Sequence, residues 1–107
     1  MVREAALDKK AEDLIEIDIA GKTIIADTFV IATGRSKIQT RSIADAIVEK
    51  VKEGGFPVGR TEGYGEGTWI LLDLGPVVVH VFTPEQRLFY NLERLWANAA
   101  DRQAQIS

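Results

Sequence analysis

The stretch WILLDLGPVVVHVF, Trp69 to Phe82, is the most apolar part of the chain, and its reading decides the fold. Two runs of strand-forming residues, Trp69 to Leu74 and Val77 to Phe82, flank Gly75 and Pro76, a pair that punctuates a strand and does not extend it, so the stretch predicts a β-hairpin. Both arms are nearly continuous in hydrophobic residues, as expected of strands covered on both faces in a sheet packed against helices. Asp73 and His80 interrupt this pattern. A carboxylate and an imidazole on such strands must find partners, face solvent at an edge, or act on something.

Outside the hairpin the totals bound the answer. A chain of 107 residues fits one domain, residues 1–107, large enough to bury a core without disulfides or a metal. Its 46% hydrophobic and 27% charged residues are those of an ordinary globular protein, and no apolar run approaches the roughly 18 residues that span a bilayer. The absence of cysteine removes thiol catalysis and thiolate zinc sites. The N-terminus, MVREAALDKK, lacks the apolar core of a signal peptide and the character of a transit peptide, and predicts a protein that stays where it is made. A net charge of −3 argues against holding nucleic acid mainly by neutralising phosphates; a basic protein partner is easier to accommodate.

The order of elements follows from periodicity and punctuation. Residues 2 to about 10 read as a short helix. Asp13 to Ile19 alternates with period two, Ile15, Ile17 and Ile19 on one face, and predicts a half-exposed strand. A turn at Ala20 to Lys22 leads to a strand extension at Thr23 to Ile25 and a stronger, central strand at Thr28 to Thr33. Gly34 marks a strand-to-helix turn, Ser36 a helix cap, and Ile43, Ala44, Ile47, Val48 and Val51 keep a helical period up to Gly54-Gly55. Phe56 to Gly67 reads as a long loop or an edge strand near Pro57 to Glu62. Thr83, Pro84 and Gln86 open a last helix expected to run to about Ala100, with Leu88, Leu92, Leu95 and Ala99 on one packing stripe and a frayed tail from Asp101. The fold class is therefore α/β: a small mixed sheet flanked by helices.

Candidate chemistry is sparse. His80 is the single histidine, so any His-based catalysis or metal binding passes through it. With Asp73 on the partner arm it suggests an acid–base pair, yet no activated nucleophile lies nearby in the sequence, and a structural histidine at a strand edge is the better reading. No Asp-x-Asp pair suited to magnesium stands on a strand. The glycines before the hairpin lack the Lys-Ser/Thr pair and following helix of a phosphate loop. Arg35, Lys37 and Arg41 crowd a helix start, where cations work against the helix dipole; a contact with RNA or an acidic protein patch would give them a cause, and a plain solvated helix end is the better reading. Large aromatics, Trp69 and Tyr90 above all, suit a protein interface, while Trp96 reads as core.

Taken jointly, the ordered residues Asp27-Thr-Phe-Val-Ile-Ala-Thr-Gly34 with Ser36, Ser42-Ile-Ala-Asp45, Glu62-Gly63, Trp69 with Asp73, Val78-Val-His-Val-Phe82, and Arg87 with Phe89-Tyr90 and Leu92-Glu93-Arg-Leu-Trp96 resemble the Iojap or ribosomal silencing factor family. The resemblance covers the chain from about Lys10 to Ala97. It implies a nucleotidyltransferase-like topology without the catalytic residues, hence no catalysis, cofactor or metal. It also implies binding to the large ribosomal subunit, through that subunit's protein fourteen, and steric exclusion of the small subunit when nutrients are short; with no transit peptide, it implies the cytoplasm. On that footing the adhesive face is assigned to Trp69, Leu71 and Asp73 on the first arm, His80 on the second, and Arg87 and Tyr90 on the last helix. Pro76 departs from the polar turn residue of many members and fixes the turn while removing a donor.

Three further readings stay open at this level. A nucleotide-handling enzyme would use Asp73, His80 and the glycine loop. A large-subunit assembly factor would share the partner but not the outcome. A homodimer off the ribosome would cover the apolar face with a second copy.

Overall fold

The structure is a computed structural model that describes residues 1–21 and 26–90. Five strands form one mixed sheet in the order β1-β2-β5-β4-β3: β1 (Glu12–Asp18), β2 (Thr28–Thr33), β3 (Thr61–Glu62), β4 (Trp69–Asp73) and β5 (Val77–Phe82). Among the described residues three helices join them, α1 (Val2–Asp8), α2 (Lys37–Glu53) and α3 (Pro84–Tyr90). The strand extension expected at Thr23 to Ile25, the continuation of the last helix to about residue 100, and Trp96 lie outside the described residues.

The expected hairpin is present as β4 and β5, antiparallel, with Trp69 opposite Phe82, Leu71 opposite His80 and Asp73 opposite Val78. Gly75, at φ +83°, fills the first central position of its two-residue turn, where primed hairpin turns need a left-handed residue. Pro76 follows without loss of pairing: its carbonyl accepts from the Asp27 and Thr28 backbone N–H groups at 2.8 and 3.1 Å. The expected central strand is β2, parallel to β5 from Thr28 opposite Val77 to Thr33 opposite Phe82. Its other neighbour, β1, is antiparallel and bulged between Glu12 and Ile15.

Both ends of α2 are legible in local chemistry. Ser36 Oγ accepts from the Gln39 N–H at 3.2 Å and caps α2. At the other end the Gly55 N–H donates to Lys52 and the Phe56 N–H to Val51. With Gly55 at φ +82° this closes a Schellman motif. Helices α1 and α2 cover one face of the sheet. Ala5, Ala6, Ile43, Ala44, Ile47 and Val51 pack there on Val30, Ala32, Ile70, Leu72, Val79 and Val81. The opposite face carries a second cluster of Ile17, Ile19, Phe29, Ile31, Val78 and Phe82. Fully burying each large aliphatic side chain contributes about 1.5–3 kcal/mol.

Two expectations about packing are corrected. Leu88, placed on a packing stripe from the sequence, is 81% exposed. Thr83, Gln86 and Arg87 turn inward instead, at the i, i+3, i+4 spacing that one helix face allows. The hairpin, expected to be covered on both faces, is not so along β4. Val78, His80 and Phe82 of β5 are all buried, so the less covered side belongs to β4, where Trp69, Leu71 and Asp73 are half-buried between the buried Ile70 and Leu72.

The glycine-rich segment contributes the short edge strand β3, followed by a loop clasped to α2. The Arg41 guanidinium donates to the Tyr64 and Gly65 carbonyls at 2.9 and 2.6 Å. Thr40 Oγ1 lies 2.6 Å from the Gly67 carbonyl, and Tyr64 Oη donates to Asp45 at 3.0 Å. Gly63 sits at φ +78°, and a Cβ there would fall 2.0 Å from the Trp69 carbonyl oxygen. Gly63→Ala is therefore expected to destabilise the fold by at least about 2 kcal/mol, measured as a lowered urea midpoint; an unchanged midpoint would refute this account of the loop.

Candidate partner-binding face

Strand parity brings Trp69, Leu71 and Asp73 to one side of β4, with His80 directly beside Leu71 on β5. Four of the six residues assigned to adhesion thus share one sheet face. Trp69 and His80, diagonal neighbours across the two strands, are joined by a hydrogen bond from the indole Nε1–H to His80 Nδ1 at 3.0 Å. Around the imidazole, Phe29 stands edge-on with ring centroids 4.9 Å apart at 72°, and Phe82 lies parallel to it at 6.0 Å. Trp69 also packs on Phe82, at 5.1 Å.

His80 is 4% exposed, so it forms the floor of this face and not its surface. Burial disfavours the imidazolium and lowers its pKa from 6.5 to about 4. Nδ1 accepts the indole hydrogen, which puts the proton of the neutral ring on Nε2, and Nε2 has no partner among the described residues. Asp73 is committed locally: its Oδ1 accepts from the Gly75 N–H at 3.0 Å and stiffens the turn. Two strand positions separate it from His80, and each group is engaged elsewhere, so the pair is not arranged for proton relay.

Arg87, assigned to the adhesive face, is engaged within the fold. Its guanidinium reaches back from α3 to the Thr33 hydroxyl at 2.7 Å and to the Asp13 carbonyl. Asp13, at φ +48°, lies within the β1 bulge, which aims that carbonyl at the arginine. Arg87 thereby ties α3 to the ends of β1 and β2. Tyr90 is the last residue of α3 among the described residues, and its side chain lies outside them.

The basic residues at the start of α2 find their cause here too. Arg35 pairs with Glu12 at 2.6 Å. Arg41 holds the glycine loop, and Gln39 between them donates to the Lys9 and Lys10 carbonyls. No sequence signal short of the folded contacts reveals these roles. At the far end of the sheet a cleft of about 550 Å³ is walled by Val51, Phe56, Val58, Leu74 and Val77, with Asp73 its one charged side chain. Among the described residues no cluster of His, Asp and Glu is suited to a metal ion, and no helix is long and apolar enough to cross a membrane.

Comparison with known proteins bears on the same fold. The family model described as "Ribosomal silencing factor during starvation" matches residues 1–107. The ribosomal silencing factor RsfS of Bacillus subtilis is 46% identical over 92 residues, which are 86% of this chain and 78% of that protein. The chloroplastic protein Iojap of Zea mays is 36% identical over 99 residues, 90% of this chain and 42% of that one. A crystal structure of a Chromobacterium violaceum protein superposes with a TM-score of 0.88 at 38% identity, covering 90% of this chain and 80% of that one. Another, from Bacillus halodurans, gives 0.81 at 41% identity and covers 89% of both.

The buried imidazole makes stability depend on pH. The unfolded chain takes up the His80 proton near pH 6.5 and the folded chain only near pH 4, so between those values the unfolded state binds more protons. Stability falls as pH drops through this window, by about 3 kcal/mol from this group. Urea unfolding of the wild type and of His80→Phe at pH 7 and pH 4 checks it: the stability difference between the two proteins shifts by about that amount in favour of the variant at pH 4. A difference that stays constant with pH would contradict it.

Proposed function

Because the chain belongs to the ribosomal silencing factor family, we propose that it binds the large ribosomal subunit through that subunit's protein fourteen and obstructs joining of the small subunit. It acts in this reading as a cytoplasmic damper of translation under nutrient limitation. The observation that carries the docking site is the half-buried row Trp69, Leu71 and Asp73 on β4, set on the buried ring floor of His80 and Phe82. Half-buried aromatics on a rigid base suit protein interfaces, because little conformational freedom remains to be lost on binding.

The mechanism is adhesion followed by exclusion, with no bond made or broken. Leu71 and Trp69 supply the apolar centre of the contact, and Asp73, already fixed by the Gly75 N–H, supplies a negative charge at its end for a basic partner. His80 supports the row from beneath, and Arg87 braces α3 beside it.

Sucrose-gradient sedimentation with purified subunits tests the proposal. Added protein is expected to co-sediment with the large subunit and to reduce the joined-ribosome peak. Trp69→Ala is expected to weaken large-subunit binding by about thirtyfold or more, with circular dichroism confirming the fold. Wild-type protein that neither co-sediments nor diminishes joined ribosomes would overturn the reading.

A further inference from the structure

Tryptophan has a single polar atom, the indole Nε1–H, and it can only donate. In Trp69 that hydrogen is given to His80 Nδ1 at 3.0 Å. Whatever part of this half-buried ring a partner can reach is therefore carbon.

The imidazole that takes the hydrogen is itself held from several sides. It is 4% exposed, edge-on to Phe29 and parallel to Phe82, and lies opposite Leu71 on one neighbouring strand and Ile31 on the other. Its Nε2 is buried without a partner among the described residues. An unpaired buried donor is unfavourable, and a phenylalanine of similar shape would fill the slot without leaving one. What histidine alone supplies at this position is the Nδ1 acceptor turned toward Trp69.

Resting on the docking reading above, we propose that His80 is the positioning residue of the face: it fixes the Trp69 indole with its N–H turned inward, so that the partner meets an apolar, electron-rich ring. This selects a definite chemistry at the centre of the contact. An aliphatic side chain, or the stem and cation of a lysine or arginine, can lie on such a ring. A carbonyl or carboxylate seeking a donor finds none from the indole, because the one it has is taken. Fixing the ring before encounter also removes the rotamer loss that a mobile tryptophan would suffer on binding.

A double-mutant cycle on the whole chain tests this, read by binding to purified large subunits and by the exchange rate of the Trp69 indole proton in NMR spectra. His80→Phe and Trp69→Phe are each expected to weaken binding by about tenfold, and the double variant by no more than the weaker-binding single one, since His80 acts through Trp69. His80→Asn, whose amide oxygen can stand near the place of Nδ1, is expected to restore binding to within about threefold of the wild type. It should also keep the indole proton slow to exchange, whereas His80→Phe makes that exchange fast. Losses that multiply in the double variant, or an indole proton unmoved by His80→Phe, would overturn the positioning role. Failure of the wild type to bind large subunits would sink the docking reading and with it this use of Trp69. Wild-type binding that survives His80→Phe would sink the positioning role alone.

Discussion

Parallel pairing of β2 with β5 is the constraint from which the rest of the architecture follows. Parallel neighbours cannot be joined by a tight turn, so the chain must leave the end of β2, cross over, and return to the start of β5. Within that crossover lie α2, the glycine loop, β3 and β4. Helix α2 is laid across one face, and β4 is delivered antiparallel to the flank of β5. Both central strands are buried along nearly their whole length. A strand added outside such a pair is covered by α2 on one side and less completely on the other, and the alternation of buried and half-buried residues along β4 records this. The position of the candidate binding row is thus a product of topology before it is a product of side-chain chemistry.

Charge is used mainly to hold segments that the hydrophobic core does not reach. Arg35 to Glu12, Arg41 to the loop carbonyls and Arg87 to Asp13 and Thr33 each join pieces distant in sequence, close to where the strands end. The first is a solvent-exposed pair and contributes little to stability by itself. The others satisfy backbone carbonyls in loops and bulges, groups with no ladder partner of their own. Arg35 and Arg41 at the start of α2, which the helix dipole disfavours, are tolerated because their heads are directed at oxygen acceptors on neighbouring segments.

Much of the fold was legible in the sequence because it is locally encoded. The Gly75-Pro76 punctuation, the period-two isoleucines of β1, the Ser36 cap and the Gly54-Gly55 stop each act through backbone geometry within a few residues, and each is found where the sequence places it. The family, too, was legible from the order of its motifs. What the sequence could not display was the direction of single side chains at element ends. Parity puts His80 beside Leu71, but only the sheet shows that β5 is central and that His80 is therefore a floor. Arg87, assigned to the adhesive face, gave no sign of its tie to β1, because its acceptor is a carbonyl turned out by a bulge in a strand distant in sequence. Leu88 looked like core because apolarity was weighed above phase, whereas Thr83 and Arg87 set which side of α3 faces the body.

The shortness of β3 bears on how such a face stays usable in a crowded cell. An edge strand presents unpaired N–H and C=O groups on which the strand of another molecule can add, and a long flat edge invites open-ended stacking. Here the edge beside β4 is two residues long, exposed and flanked by a loop bent back onto α2 through Arg41 and Thr40. It offers too little ladder for a foreign strand to template upon. The apolar row on β4 can then remain partly uncovered without the sheet growing laterally from copy to copy, because the edge that would propagate such growth stops almost where it begins.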